Sequence, residues 1–383
     1  MLLKPTKWLA IAVLVCSLSL GVLVTADGQQ SAKPVEQLAD WPLFRGDAKM
    51  SGIGAAKLPD QLEERWAFKT GDTVEGAPAI VGGIVYVASM DKHLYAVELA
   101  TGKEKWKVKL GPMKASPAVD GKLIVCGDVE GNVHGVDLAT GKALWKFATD
   151  GEITSGANFH KGSVLIGSHD SKLYCLTADG KKTWDFGIEG PVNGSPAVVD
   201  GTTFVAGCDS ILHAIDIATG KELWNVDLGG QAAATAAIAG DFAYVGLMTN
   251  QVIAIDLKAK KKAWLFEPAR RAQPFYASAA VTDDLVVTGS RDKKIYALDR
   301  KTGKERWNFA CEDSVDSSPV IVGDRVYIGC QSNTAEFYVL DLKTGKKLQE
   351  MTLDSSVTGS VAVGPDCILV GTEKGVVYCL GKK

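Results

Sequence analysis

The chain is poor in the residues that carry most catalytic chemistry. Its 383 residues include five histidines, and His93, His160 and His169 are scattered without metal-ligand spacing. No CxxC occurs, which removes the usual structural-zinc and dithiol signatures. There is no phosphate-cradling glycine loop and no nucleophile elbow. Neither sign of charge dominates: 42 Lys and Arg stand against 45 Asp and Glu. Sequence-independent nucleic-acid binding draws on clustered positive charge, so no nucleic-acid partner is expected. Only one apolar run is long, residues 8–24, and its 17 residues sit at the lower edge of a bilayer span. Lys4 and Lys7 precede it and Val24-Thr25-Ala26 follows as a small-residue cleavage site. Residues 1–26 therefore read as a signal peptide, with an uncleaved anchor through residues 8–24 as the alternative. Cys16 follows Val15 rather than a small residue, which argues against lipid attachment.

What the chain has in abundance is repetition. AIDIATGKELW, residues 214–224, recurs as AVELATGKEKW at 96–106, GVDLATGKALW at 135–145 and ALDRKTGKERW at 297–307. Weaker copies are CLTADGKKTW at 175–184, AIDLKAKKKAW at 254–264 and VLDLKTGKKLQ at 339–349, where Gln349 replaces the aromatic. Trp66, Trp106, Trp145, Trp184, Trp224, Trp264 and Trp307 are spaced by 40, 39, 39, 40, 40 and 43 residues. A fixed period near forty marks a repeat architecture.

Within one period, residues 195–199 read as a first strand, Asp200-Gly201 as a hairpin turn and residues 203–207 as a second strand. Residues 211–216 form a third and residues 222–227 a fourth. Four antiparallel strands in about 40 residues make one propeller blade. The tryptophan, on the outer strand, is expected to wedge between neighbouring blades, and the Thr-Gly pair to shape the turn. Seven full units begin near Val74, Lys114, Ile153, Val192, Gln231, Phe275 and Val315. Residues 357–380 supply three strands without a fourth, and residues 62–69 supply a fourth without the first three. Joining them predicts an all-β, eight-bladed propeller over residues 61–383, with seven blades as the alternative count. Residues 27–60 read as a linker and a non-repeat segment. Within it, WPLFRGDAKMSGIG at 41–54 is too apolar for a free tail and is expected to pack on the main domain.

The recurring SPAV, DG, VYVG, LYALD, TGK and W elements resemble the PQQ-type repeat over about residues 62–380. That repeat is shared by PQQ-dependent alcohol and sugar dehydrogenases and by the noncatalytic BamB-type outer-membrane-protein assembly factor. The dehydrogenase resemblance implies a quinone over the propeller axis, a Ca²⁺ ion with oxygen ligands and often a pair of adjacent cysteines. This chain has no Cys-Cys pair. Its weak funnel candidates for cofactor binding are Glu75, Glu152, Asn193 and Asp316, with Glu312 and Asp313 nearby. The first-strand residues expected at the axis are nearly all tiny, from Gly76-Ala77 round to Gly359-Ser360. No catalytic residue and no metal site is assigned, and PQQ with Ca²⁺ is expected only under the dehydrogenase alternative.

His134 and His213 align with Tyr95, Tyr174, Tyr296, Tyr338 and Tyr378, which reads as a strand position rather than a ligand set. Asp128-Val-Glu130-Gly-Asn132 is an ordinary turn that only loosely suggests a calcium loop. The seven cysteines after Cys16 read chiefly as buried small hydrophobes. One connection departs from the repeat, LFEPARRAQPFYAS at 265–278, and makes Arg270, Arg271, Phe275 and Tyr276 the partner-binding candidates. The expected function is that of an exported, monomeric, BamB-like scaffold that binds a protein partner in the cell envelope. A PQQ dehydrogenase or a small-ligand-binding propeller is the alternative.

Overall fold

Short apolar strands that must hide both faces find cover only by stacking sheet on sheet, and the blades show how. The computed structural model describes residues 40–269, 272–332 and 335–383. The signal-peptide reading of residues 1–26, Cys16, the linker up to residue 39, and Arg270 and Arg271 lie outside the described residues.

In the fourth blade the strands are Ala197–Val199, Thr202–Ala206, Ile211–Asp216 and Glu222–Asp227, each antiparallel to the next. The turn between the first two has both central residues in the left-handed region, Asp200 at φ 48° and Gly201 at φ 80°. That is the backbone of a tight hairpin whose twist matches the strands. The second and third strands are buried along most of their length, whereas the fourth is mostly exposed, with Trp224 half-buried and Val226 buried. Eight such sheets form the ring, as the repeat count predicts. The last is completed by Glu63–Lys69, which pairs antiparallel with Val376–Gly381, so the two ends of the repeat region share one blade. A ring closed in this way leaves only outer strands as free edges.

Every outer strand carries one irregularity that sequence reading missed. The register slips by one residue beside the tryptophan position, between Ala214 and Ile215 in the fourth blade and at the equivalent point in all eight. The bulged residue precedes the tryptophan, and the bulge lets consecutive residues face different ways. Trp66, Trp145, Trp184, Trp264 and Trp307 thereby turn inward, and each donates its indole N–H to a backbone carbonyl of the following blade, from Leu99, Ala178, Ile217, Arg300 and Leu342 at 2.8–2.9 Å. Each ring lies on the turn glycine of that blade. A Cβ added to Gly220 would stand 2.7 Å from the Trp184 ring, and at Gly141 2.5 Å from that of Trp106. The repeated Thr-Gly turn therefore serves the neighbouring tryptophan as well as its own hairpin.

A second repeated contact ties the third strand to the turn before it. Tyr95, Tyr174 and Tyr296 donate their hydroxyls to Asp91, Asp170 and Asp292 at 2.5–2.6 Å. His134 and His213 replace the tyrosine, placing Nε2 2.7 Å from Asp128 and Asp209. Asp128 also accepts bonds from Glu130 N, Asn132 N and the Asn132 amide. Its oxygens are thus spent on the turn.

Candidate functional site

The eight inner strands begin with small residues because eight backbones converge there. One position in this register forms a ring of hydroxyl groups: Ser116, Ser195, Thr235, Ser278, Ser318 and Ser360, with Ala77 and Gly156 in the remaining two blades. The ring is stitched from blade to blade. The amides of Ala77, Gly156, Ser195, Thr235 and Ser278 donate to the hydroxyl of the next blade at 2.8–3.0 Å.

One end of this channel is closed by residues 41–54. Trp41 forms an antiparallel bridge with Ile80 of the first blade. The segment then accepts amide N–H bonds from Val119, Val198, Ile238, Val281 and Ile321 at Pro42, Ala48, Lys49, Ser51 and Gly52, at 2.7–3.0 Å. The side-chain amide of Asn158 reaches Ala48 O at 2.8 Å. Finally Ile53–Gly54 runs parallel to Ile321 and Val322, and Gly54 lies against Val363 of the last blade. The segment predicted to pack on the propeller therefore visits all the blades in chain order, on the inside.

At its centre Arg45 is fully buried. Its Nη1 donates to Ser360 Oγ at 2.8 Å, and Nη2 donates to the carbonyls of Ala279 and Pro319 at 3.1 and 2.5 Å. Burial pulls the guanidinium down to about 9, opposed by nearby Asp47, and the side chain remains a cation at neutral pH. Asp47 is occupied by Ser51 and by the amides of Lys49 and Ser51. The closing turn needs glycine at 52, where φ is +70° and an added Cβ would sit 2.0 Å from the Arg45 guanidinium.

With one end stoppered, the other end is a blind cup of about 340 Å³ floored by Phe44 and the hydroxyl ring. The structure brings Glu75, Asn193, Asp316 and Tyr276 to this cup. Each polar member has a partner. Glu75 lies 3.4 Å from Lys114 Nζ, and Asp316 is held by Arg291 with contacts of 2.6–3.2 Å. Asp316 in turn holds the Arg291 guanidinium above its ordinary value, and that group stacks 3.9 Å from the Tyr276 ring centroid. The Asn193 amide donates to Cys208 Sγ at 3.1 Å.

The remaining candidates fall elsewhere. Glu152 is exposed and does not line the cup; Thr154, two residues on, does. Phe275 corrects the expectation of a partner-binding ring: it is fully buried, against Gly246 and 5.9 Å from the Tyr296 ring. An aromatic at the start of an inner strand is drawn into the seam between blades, not onto the surface. Phe44 and Lys114 were missed as cup residues, and Arg45 and Arg291 as the cations behind it. The lone arginine inside the apolar WPLFRG run was the available signal for Arg45. Among the described residues all seven cysteines are free thiols, and no cluster of His, Cys, Asp and Glu is arranged to hold a metal ion.

Comparison with known proteins gives one family and two kinds of relative. The family model described as the outer membrane protein assembly factor BamB matches residues 59–149, 129–265 and 250–380. Among solved structures, BamB from Moraxella catarrhalis is similar with a TM-score of 0.72 and 18% identity, over 84% of this chain and 100% of that one. The quinohemoprotein alcohol dehydrogenase from Comamonas testosteroni is similar with a TM-score of 0.76 and 15% identity, over 90% of this chain and 81% of that one. At these identities the likeness is one of fold. The quinoprotein glucose dehydrogenase of Escherichia coli (strain K12) is 30% identical over 95 residues, 20% of this chain, and the match spans 12% of that enzyme's length.

Proposed function

The chain belongs to the family of the outer membrane protein assembly factor BamB, and on that premise we propose that it is a noncatalytic, exported scaffold that binds a protein partner in the cell envelope. One observation carries this reading: the outer strands present large apolar side chains to solvent. Leu144, Leu223 and Leu348 are 52%, 52% and 42% exposed, and Leu265 is 48% exposed. The first three are the bulged residues beside Trp145, Trp224 and Gln349. Bulges discourage strand addition at an edge, so the partner engages these positions through side-chain contact. Arg270 and Arg271 are proposed to take part in the same association. In the family's setting the partner is a component of outer-membrane-protein assembly, and the propeller acts as a monomer.

Leu144 and Leu223, replaced by a photo-crosslinking amino acid in intact cells, are expected to give adducts with a discrete envelope protein, whereas Lys181 on a turn gives none. Arg270→Ala with Arg271→Ala should weaken the same association without lowering the melting temperature. Equal labelling from all positions would refute the reading.

The dehydrogenase reading fits the residues poorly. A calcium ion beside a quinone needs free oxygen donors, and Glu75 and Asp316 are engaged by Lys114 and Arg291. Of the described tryptophans, Trp41 lies at the stoppered end and the others lie on outer strands. Stoichiometric quinone uptake with Ca²⁺ and dye-linked alcohol oxidation would overturn the scaffold assignment.

A further inference from the structure

The floor of the cup offers more hydrogen-bond donors than the fold uses. The hydroxyls of Ser116, Ser195, Thr235, Ser278 and Ser318 all border the cup and are at most 6% exposed. Each accepts an amide N–H from the preceding blade. A hydroxyl that accepts still has its proton to give, and the bonds these five make among the described residues are all as acceptors. Thr358 lines the same cup, and its buried Oγ1 has no partner among the described residues. Behind the floor stands the Arg45 guanidinium, which forms hydrogen bonds to Ser360 and two carbonyls but, among the described residues, no ion pair. Its Nε has no partner among them either. Asp47 lies near Arg45 and offsets part of its charge, but it is engaged by Ser51 and Lys49 and is not among the residues that line the cup. Glu75 and Asp316 carry their own cations.

We propose that the cup binds a small molecule through an oxyanion, a carboxylate or a phosphate group, received by the ring hydroxyls and Thr358 with Arg45 supplying positive potential from beneath. Convergent neutral donors backed by a fixed cation are the arrangement that stabilises such a group away from bulk water. The volume, about 340 Å³, lies at the small end of the range for small-molecule sites. Tyr276, backed by the stacked Arg291, lines one wall against which the remainder of the ligand rests. This site is separate from the outer-strand surface, so either assignment can fail alone.

The test is calorimetric titration of the full chain with inorganic phosphate, with citrate and with glycerol. Saturable binding of phosphate or citrate is expected, and which of the two binds identifies the source of the oxyanion; glycerol should give no saturable heat. Ser195→Ala with Ser278→Ala should weaken anion binding at least tenfold. The ring already tolerates Ala77 and Gly156 at this register, so the variant is expected to fold. Thr358→Val removes a hydroxyl without a protein partner and keeps the test open should the ring variant misfold. It should weaken binding several-fold at unchanged melting temperature. No saturable binding of either anion, equal affinity in wild type and Thr358→Val, or glycerol binding as tightly as the anions would each overturn the proposal.

Discussion

Gln349 and Leu62, 287 residues apart in the chain, share two hydrogen bonds across the last seam of the ring: Leu62 N donates to Gln349 Oε1 at 2.8 Å, and Gln349 Nε2 donates to Leu62 O at 2.7 Å. Gln349 holds the place that tryptophan occupies in the other blades. The blade it faces is the composite one, in which the third strand ends at Gly381 and the fourth begins anew at Glu63. No turn glycine exists there for a ring to cover, and an amide that satisfies a broken backbone takes the ring's place.

Gln349→Ala should therefore cost stability by orphaning a buried N–H and C=O. The expected loss is roughly 1–3 kcal/mol, read from the midpoint of urea denaturation. Gln349→Trp should fail to restore it. A tryptophan as stable as the wild type would show that apolar area alone seals this seam.

Gly220 carries φ +69° beneath the Trp184 ring. Gly220→Ala is expected to destabilise by two separable routes, left-handed strain of about 1 kcal/mol and the clash with the ring. Combined with Trp184→Ala, the clash vanishes while the strain stays. A double-mutant cycle should then show a coupling energy above about 0.5 kcal/mol, and strict additivity would contradict the contact.

Arg45→Ala removes three donors from buried acceptors. A loss of about 2–4 kcal/mol is expected, measured by chemical denaturation. Arg45→Lys should recover only part of it, because an ammonium cannot span Ser360, Ala279 and Pro319 as the planar guanidinium does.

His213 touches a carboxylate with each ring nitrogen, Asp209 at 2.7 Å and Glu222 at 2.6 Å. Burial acts to lower its pKa, but the hydrogen bonds and charges of the two acids outweigh burial and leave it raised. A raised folded-state value means that the stabilisation is complete below the ordinary histidine value near 6.5. It fades as pH climbs through the raised value. His213→Gln should thus lower the melting temperature more at about pH 5.5 than at about pH 9; an equal drop at both would exclude the imidazolium.

The fold was legible because its determinants repeat: each turn, strand and tryptophan occurs often enough for the period to show through substitutions such as Lys260 or Gln349. The outer-strand bulge was not legible, since a slipped register leaves composition unchanged and appears only once the strands are paired. The cup was half legible. Small residues at the inner ends of the blades indicate crowding around an axis, and Glu75, Asn193, Tyr276 and Asp316 do meet there. Their partners Lys114 and Arg291 belong to other blades or other turns, and no spacing along the chain couples them. Phe275 misled for the opposite reason: its neighbours in the sequence suggested a surface loop, while its burial is decided by Gly246 and Tyr296 in two different blades.

The stopper of the channel sets an order of events during synthesis. Arg45 is made early, yet its three bonding partners lie 234, 274 and 315 residues further on. The fourth strand of the last blade likewise waits for Val376–Gly381. Trp41, Pro42 and Ala48 meet Ile80, Val119 and Val198 as the early blades emerge, whereas Arg45 waits for the last three blades and Glu63–Lys69 for the final one. Such distant pairings make for slow closure. In the interval Glu63–Lys69 lacks its partner strand, so a chain truncated before its last blade loses its rim closure and, at the axis, the bond from Arg45 to Ser360.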